Sequence, residues 1–229
     1  NMGSLNFRTG DIKKATDDLD KARQLGADEE NILEIRGMAN FELGKKDAAF
    51  YDLSRASGSG KIKNPQAWYY LAVMEIDKNQ YEAAYDNLNN AIDGGYENAK
   101  TIALRGIVKY NLKNYSGCIS DLSYALKTGY TDTDLLFYRG MAYFMVQEYS
   151  MAEADLASFA SDGKADSIVY QNLGIIAAAS TDYNKAVQYF TQAIVSGFKQ
   201  PGMYNRRGLA FTGIKQFQKA IDDFSLAIA

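Results

Sequence analysis

Residues 99–132 contain the pattern of the whole chain and read AKTIALRGIVKYNLKNYSGCISDLSYALKTGYTD. A small residue, Gly106, comes twelve positions before a second small residue, Cys118, and Leu122 follows four positions after that. To either side of this stretch the same pattern returns every 34 residues, with one interval of 35. The sequence therefore predicts seven tandem copies of one repeat.

Three sets of equivalent residues define the repeat. The first small residues are Gly3, Gly37, Ala72, Gly106, Gly140, Gly174 and Gly208. The second small residues are Ala15, Ala49, Ala84, Cys118, Ala152, Ala186 and Ala220. Larger apolar residues follow these by four positions: Leu19, Leu53, Leu88, Leu122, Leu156, Phe190 and Phe224. A further apolar residue follows three positions later, as Ala125 follows Leu122. Apolar spacings of four and then three are typical of one helix face, so each repeat is predicted to hold two helices. The Gly or Ala of the first helix is predicted to lie opposite the Ala of the second, which lets the two backbones approach closely.

Glycine closes each repeat. The equivalent positions are Gly26, Gly60, Gly95, Gly129, Gly163 and Gly197. A glycine just past a helix end adopts the left-handed conformation at little steric cost, so a turn is predicted at each of these positions. Pro65 and Pro201 fit the first position of the following helices. The turn after Gly60 is one residue longer than the others, which predicts a local irregularity.

The pattern resembles the tetratricopeptide repeat, in which Trp-x-x-Leu-Gly-x-x-Tyr is followed by Ala, Phe and Ala. Here it appears as Trp68-x-x-Leu71-Ala72 and as Tyr170-x-x-Leu173-Gly174. The proline that usually follows the second helix is missing, and glycine takes its place. The resemblance covers essentially the whole chain and implies an all-α fold, a right-handed superhelical solenoid of antiparallel helix pairs.

The repeats are predicted to form a single solenoid domain over residues 1–229. The approximate repeats are 1–29, 30–64, 65–98, 99–132, 133–166, 167–200 and 201–229. Because the chain begins within a first helix and stops at the end of a second one, we expect it to be part of a longer protein.

Composition excludes several classes of function. The chain has no histidine and one cysteine among its 229 residues, so it lacks Ser-His-Asp triads, histidine metal sites and internal disulfides. We therefore expect no enzymatic activity, no cofactor and no metal. A net charge of −3 argues against a nucleic-acid partner. No apolar run is long enough for a membrane span and no signal peptide is evident, so a soluble protein of undefined compartment is expected.

Two isolated features have simple structural interpretations. Asp132 and Asp134 lie just before a predicted helix, where acidic side chains cap free amides, and this interpretation is favoured over a cation site. Cys118 stands where the other repeats have alanine, so it is predicted to be a packing residue rather than a reactive one.

Arginine and aspartate vary together among the repeats. The matching pairs are Arg36 with Asp52, Arg105 with Asp121, Arg139 with Asp155, and Arg207 with Asp223. Where the arginine is replaced by Leu71 or Leu173, the aspartate position holds Asn87 or Tyr189. The pattern predicts structural ion pairs between the two helices of one repeat, since a guanidinium binds a carboxylate through two parallel hydrogen bonds. The alternative is that these arginines bind an acidic ligand.

The resemblance also implies that the first helices line a concave, ligand-binding face. At the fifth, ninth and twelfth positions of the middle repeats this face is apolar and aromatic. The predicted peptide- or protein-binding groove consists of Tyr69, Val73, Ile76, Ile107, Tyr110, Phe137, Met141 and Phe144. Tyr69 and Phe137 are expected to be the most exposed. The family's carboxylate clamp, with Lys or Arg at the fifth position and Asn at the ninth, is absent.

The predicted function is a non-enzymatic scaffold that binds a peptide or protein segment in this apolar groove. An extended segment or an amphipathic helix would suit such a lining. It is also possible that the ninth- and twelfth-position side chains mainly pack first helices together. The alternative functions are a structural solenoid that self-associates through one end, and an adaptor domain of a larger multidomain protein.

Overall fold

The structure, a computed structural model, describes residues 2–26 and 32–228. In these residues it holds fourteen α-helices and no strand, which confirms the all-α prediction and the predicted number of helices. The helices are α1 (Met2–Arg8), α2 (Ile12–Gln24), α3 (Leu33–Glu42), α4 (Lys46–Gly58), α5 (Pro65–Asp77), α6 (Tyr81–Asp93), α7 (Ala99–Asn111), α8 (Tyr115–Lys127), α9 (Asp134–Met145), α10 (Tyr149–Ser161), α11 (Ser167–Ala179), α12 (Tyr183–Val195), α13 (Pro201–Gly213) and α14 (Phe217–Ile228). As predicted, Pro65 and Pro201 occupy the first turns of their helices.

The chain falls into two compact bodies. The N-terminal body comprises Asn1–Asn114 and Tyr124–Tyr130, and the C-terminal body comprises Tyr115–Ser123 and Thr131–Ala229. In the N-terminal body α1 packs on α2, α3 on α4, and α5 on α6. In the C-terminal body α9 packs on α10, α11 on α12, and α13 on α14. Three residues join the helices of each pair, and connections this short place the two helices side by side and antiparallel.

The first small residue of a repeat makes room for the large apolar residue of the second helix. A Cβ added to Gly37 would lie 2.7 Å from Leu53 Cγ, and one added to Gly174 would lie 2.5 Å from Phe190 Cδ1. The sequence predicted close approach of this glycine to an alanine, and a Cβ added to Gly3 would lie 3.1 Å from the carbonyl oxygen of Ala15, but the nearest side chain is the Leu or Phe. The larger Leu or Phe four residues later inserts into the space that the missing side chain leaves, and Leu53 and Phe190 are almost fully buried there.

The turns between repeats have the backbone that the sequence predicted. All six glycines at these turns are left-handed, with φ between +68° and +107°. At Gly197 the φ of +107° is one that side-chain-bearing residues rarely adopt. The glycine spacing therefore predicted both the helix ends and their conformation.

The turns within repeats are left-handed as well, which the sequence did not reveal. Gly10 and Gly44 occupy the turn position in the first two repeats. Residues with side chains occupy it in the other five: Asn79, Lys113, Gln147, Thr181 and Lys215, with φ between +57° and +64°. Because the residue type varies, no sequence signal marks this position.

The longer turn after Gly60 has its own support. Residues 61–64 lie outside helices, as the predicted irregularity requires. The Glu34 carboxylate accepts hydrogen bonds from the backbone N–H groups of Lys63 at 2.7 Å and Asn64 at 2.5 Å. The Asn64 side chain in turn caps α5 by accepting from the N–H of Gln66. An acidic side chain from α3 thus holds the extra residue in place.

Candidate functional site

The predicted groove residues of the N-terminal body are only partly accessible. Val73, Ile76, Ile107 and Tyr110 are half-buried. Tyr69 is only 7% exposed, which differs from its expected exposure. Its ring packs against the rings of Tyr70 at 5.9 Å and Tyr96 at 5.3 Å between centroids. The aromatic residue that follows the glycine turn therefore covers Tyr69.

A cavity of about 390 Å³ lies on this face of the N-terminal body. Tyr69 and Val73 line it together with Phe41, Glu42, Gln66, Tyr70, Tyr96, Asn98 and Lys100. Stacking holds one part of its wall in place: the Phe41 and Tyr70 rings lie with centroids 4.2 Å apart and an interplanar angle of 15°. The Tyr70 hydroxyl donates to the Glu42 carboxylate. Burial, with a further contribution from this carboxylate, raises the pKa of the Tyr70 hydroxyl far above its usual value, so Tyr70 remains a neutral donor.

In the C-terminal body the predicted groove residues also differ in exposure. Met141 is 9% exposed, and the Asn172 side-chain amide lies 3.4 Å from its sulfur. Phe137 and Phe144 are half-buried. Phe137 packs against Phe159 with ring centroids 5.5 Å apart. Met141 therefore serves packing, and Phe137 retains an accessible side.

Phe137 lines a cavity of about 410 Å³ in the C-terminal body. Asp134, Tyr138, Phe159, Lys164, Asp166 and Val169 complete its lining. Its charged groups already have partners: Lys164 Nζ lies 2.6 Å from Asp134, and Asp166 accepts from the N–H groups of α11. Few of its charged groups are therefore available to bind a ligand.

The predicted groove was limited to the middle repeats and therefore did not include a second cavity of the C-terminal body. This cavity has a volume of about 420 Å³, and its lining residues are Ile175, Ala178, Tyr183, Phe190, Arg206, Leu209, Ala210, Thr212 and Gly213. Ile175 and Leu209 are ninth-position residues, and Ala178 and Thr212 are twelfth-position residues, of the last two repeats. The positional rule applied to all repeats would have found them. Leu209 is 57% exposed, a high value for leucine in a helix interior.

In three of the predicted arginine–aspartate pairs, both residues belong to the same body and form the expected ion pair. Arg36 donates from Nε at 2.8 Å and from Nη2 at 2.7 Å to the two oxygens of Asp52. Arg139 with Asp155 and Arg207 with Asp223 have the same geometry. Hydrogen bonding to the aspartate raises the pKa of Arg139 and of Arg207, partly opposed by burial.

The fourth pair, Arg105 with Asp121, stays a prediction, because the two residues belong to different bodies.

Each of these arginines also reaches the second helix of the preceding repeat. Nη1 of Arg36, Arg105, Arg139 and Arg207 donates to a polar residue sixteen positions earlier: Asp20, Asn89, Ser123 and Thr191 respectively. All four arginines thus join neighbouring repeats, and Arg36, Arg139 and Arg207 also join the two helices of their own repeat. The sequence carried the signal, since a polar residue follows the second-helix Leu or Phe in each of these preceding repeats.

The repeat with Leu71 uses a different buried polar pair. Glu75 accepts a hydrogen bond from the Asn87 amide at 2.8 Å, and both residues are buried. Burial raises the pKa of the Glu75 carboxyl, while the hydrogen bond from Asn87 acts in the opposite direction. Asn87 is the residue that replaces aspartate in this repeat, so the substitution provides a donor for Glu75.

The remaining sequence features have structural roles. Asp132 accepts from the N–H of Asp134 at 3.0 Å, as a helix cap does. Cys118 is fully buried, in agreement with a packing role. In residues 2–26 and 32–228, no group of three cysteine or acidic side chains is arranged to hold a metal ion. No helix in these ranges has the length and apolarity needed to cross a bilayer.

Comparisons with known proteins agree with this architecture. The family described as "Tetratricopeptide repeat" matches residues 168–194, which cover most of α11 and α12. No curated protein matches the chain in sequence.

Similar solved structures include MamA AMB-1, with 15% identity, a TM-score of 0.66, and coverage of 71% of this chain and 89% of MamA. YrrB, described as a TPR protein with an unusual peptide-binding site, has 16% identity and a TM-score of 0.65, with 77% of this chain and 90% of YrrB covered. A tetratricopeptide repeat protein from Parabacteroides merdae ATCC 43184 has 19% identity and a TM-score of 0.54, with 99% and 89% covered.

The tandem helix pairs and the structural neighbours show that the chain has the fold of tetratricopeptide repeat proteins, and its fourteen helices in residues 2–26 and 32–228 are consistent with about seven repeats. Residues 168–194 match the family itself. Proteins of this fold are generally non-catalytic, and stacked helix pairs provide extended surfaces for protein interaction. The fold therefore supports a protein-interaction scaffold.

Proposed function

We propose that the chain is a non-enzymatic scaffold that binds a peptide or protein segment on the face formed by its first helices. The observation that carries the proposal is the exposed Leu209, which lies with Ile175 at the rim of a largely apolar cavity on that face. Burying exposed apolar surface contributes about 25 cal/mol per Å², and clefts with apolar linings are where proteins bind ligands.

In the N-terminal body the proposed site consists of Tyr69, Val73, Ile76, Ile107 and Tyr110. Val73 and Tyr69 line a cavity there, so a bound segment would contact their edges. In the C-terminal body Phe137 and Phe144 offer half-buried rings, and Met141 of the same helix is buried. The YrrB neighbour, described as having a peptide-binding site, supports the same type of ligand.

The test is selection from a displayed library of random twelve-residue peptides, followed by binding measurements with variants. We expect Val73→Ser and Leu209→Ser to weaken the selected peptides, since both residues lie on the first-helix face. Tyr51→Ser and Met151→Ser are matched controls, because these residues are exposed on second helices. Circular dichroism establishes that each variant is folded. Loss of binding only in the second-helix variants would contradict the proposal.

Self-association is a second candidate with an observation of its own. Phe217, Ile221, Leu226 and Ile228 of α14 are each more than half exposed. Contiguous apolar exposure of this kind is typical of interaction surfaces. Sedimentation velocity over a range of concentrations tests it: a mass that rises for the wild type but not for Ile221→Ser would favour self-association through this helix.

A further inference from the structure

The cavity between α11 and α13 contains one charged residue, and that residue is unpaired. Arg206 lines the cavity and is exposed, and within residues 2–26 and 32–228 no side chain or carbonyl accepts a hydrogen bond from it. Its neighbour Arg207 behaves differently, because both parallel donors of that guanidinium are taken up by Asp223. Two adjacent arginines of one helix therefore have separate roles, and only Arg206 is available to a ligand.

The equivalent place in the N-terminal body is lined by different side chains. There the twelfth-position residue Phe41 and the sixth-position residue Tyr70 stack on each other, and both rings line the cavity of about 390 Å³. In the C-terminal body the same two positions hold Ala178 and Arg206. A small residue and a cation thus replace two stacked rings, and the C-terminal cavity has a guanidinium where the N-terminal cavity has a phenol.

The rest of the lining is mostly apolar and carries no charge that would neutralise Arg206. Ile175, Phe190 and Leu209 are its large aliphatic and aromatic members, and the hydroxyl-bearing residues are Tyr183 and Thr212. The nearby acidic residue Asp182 caps α12 by accepting from the N–H of Lys185 at 3.1 Å, and its other carboxylate oxygen lies 3.8 Å from Lys185 Nζ. An acidic group supplied by a ligand would thus find an unoccupied guanidinium beside an apolar wall.

We propose that this cavity recognises an acidic, apolar peptide segment. A large apolar side chain of the partner enters between Ile175 and Leu209, and a neighbouring Asp or Glu side chain of the partner pairs with Arg206. The inference rests on the proposed scaffold function and specifies the chemistry of its ligand. The cavity volume of about 420 Å³ is sufficient for such a side chain, since proteins enclose small ligands in pockets of roughly 300–1,000 Å³.

The experiment uses the full chain and a displayed library of twelve-residue peptides flanked at both ends, so that no peptide has a free C-terminal carboxylate near its binding residues. We expect the selected peptides to be enriched in Asp or Glu next to Leu, Ile, Met or Phe. For one synthesised peptide, Arg206→Glu should weaken binding at least about tenfold, because like charges then face each other. Replacing the peptide's acidic residue by Lys should restore binding to Arg206→Glu alone.

Two further variants keep the result specific. Arg8→Glu changes the net charge equally at an exposed arginine of α1 in the other body, and it should leave binding within about twofold because Arg8 does not line the cavity. Ala178→Phe should abolish binding by filling the cavity with the side chain that Phe41 provides elsewhere. Circular dichroism and unfolding curves establish that each variant is folded.

The outcomes separate this inference from the scaffold proposal. Peptides without acidic enrichment, or equal affinities for Arg206→Glu and Arg8→Glu, would overturn the inference. If Leu209→Ser still lost binding to those peptides, the scaffold proposal would stand although the inference about acidic ligands had failed. If peptides bound only when they had a free C-terminus, the inference would likewise be overturned, because the ligand would then be a terminal carboxylate. If no peptide were selected, both would be contradicted.

Discussion

The contact between α3 and α5 and the neighbourhood of α11 and α13 are built from the same positions of the repeat. In the first, the stacked rings of Phe41 and Tyr70 line a cavity of about 390 Å³, and Tyr70 is fixed further by Glu42. In the second, Ala178 and Arg206 line a cavity of about 420 Å³ together with the exposed Leu209. The same two positions thus hold either a stacked aromatic pair or an alanine and an arginine, and these side chains set the chemistry of each cavity.

The comparison also separates residues that hold the fold from residues that are free to bind. Phe190 and Leu209 line the same cavity, but Phe190 is 1% exposed and fills the space beside Gly174. Arg206 and Arg207 are adjacent, but only Arg207 has a carboxylate partner in its own repeat. The following variants test these contrasts in order of expected effect.

Phe190→Ala should produce the largest loss of stability. Removing a fully buried phenylalanine costs about 3–5 kcal/mol, since the surrounding structure does not close the space. Urea unfolding measures the change, with Leu209→Ala as the control. Leu209→Ala should stay within about 0.5 kcal/mol because its side chain is exposed. Similar losses for the two variants would show that the rim and the floor of the cavity are not distinct.

Arg207→Leu should destabilise the chain by roughly 2–3 kcal/mol, below the ~3–5 of a fully buried pair because the Arg207 side chain is 17% exposed. The loss arises because Asp223, whose side chain is 4% exposed, is left without its partner. Adding Asp223→Asn should recover part of the stability by removing the stranded charge. Arg206→Leu is the adjacent control and should leave the urea midpoint nearly unchanged. A double variant no more stable than Arg207→Leu would contradict this role of the pair.

The double variant Ala178→Phe with Arg206→Tyr transfers the stacked aromatic pair of the N-terminal body to the equivalent positions of α11 and α13. We expect stability to increase by about 0.5–1.5 kcal/mol, since an aromatic pair contributes that much beyond its buried area. Acidic peptides should no longer bind. Thermal unfolding and peptide titration provide the two readouts. A clear loss of stability would mean that α11 and α13 do not accommodate the aromatic pair that α3 and α5 hold.

The smallest effect is expected at the turns that precede the second helices of the two regions. Thr181 between α11 and α12 has φ of +60°, and Asn79 between α5 and α6 has φ of +57°. A β-branched residue is strained there, whereas asparagine tolerates this conformation. Thr181→Gly should therefore stabilise by about 0.5–1 kcal/mol, and Asn79→Gly by less. Equal gains in unfolding free energy would show that the residue type is irrelevant at this turn.

Much of the architecture could be predicted because one pattern occurs seven times in the sequence. The glycines before the first helices, exemplified by Gly197, indicated both the helix ends and their left-handed backbone. The pairing of Arg36 with Asp52 could also be predicted by comparing repeats, because each repeat that has the arginine also has its own aspartate. Each of these features depends on residue identity within one repeat.

Features that depend on contacts between repeats were harder to predict. Tyr69 was expected to be exposed, but Tyr96 from the following turn covers it. Met141 is buried by packing that its position in the repeat does not specify. The cavity beside Arg206 arises from a pair of positions in successive repeats, so neither residue alone signals it. The left-handed turn at Thr181 was missed because backbone geometry, rather than side-chain chemistry, is repeated there.

Hydrogen exchange measured by mass spectrometry, with and without a selected peptide at saturating concentration, tests the central proposal most directly. Binding on the first-helix face should slow exchange in α11 and α13, where Ile175 and Leu209 lie, and leave the exposed side of α14 unchanged. Protection confined to α12 and α14, with none in the first helices, would contradict the proposal that the first helices form the binding surface.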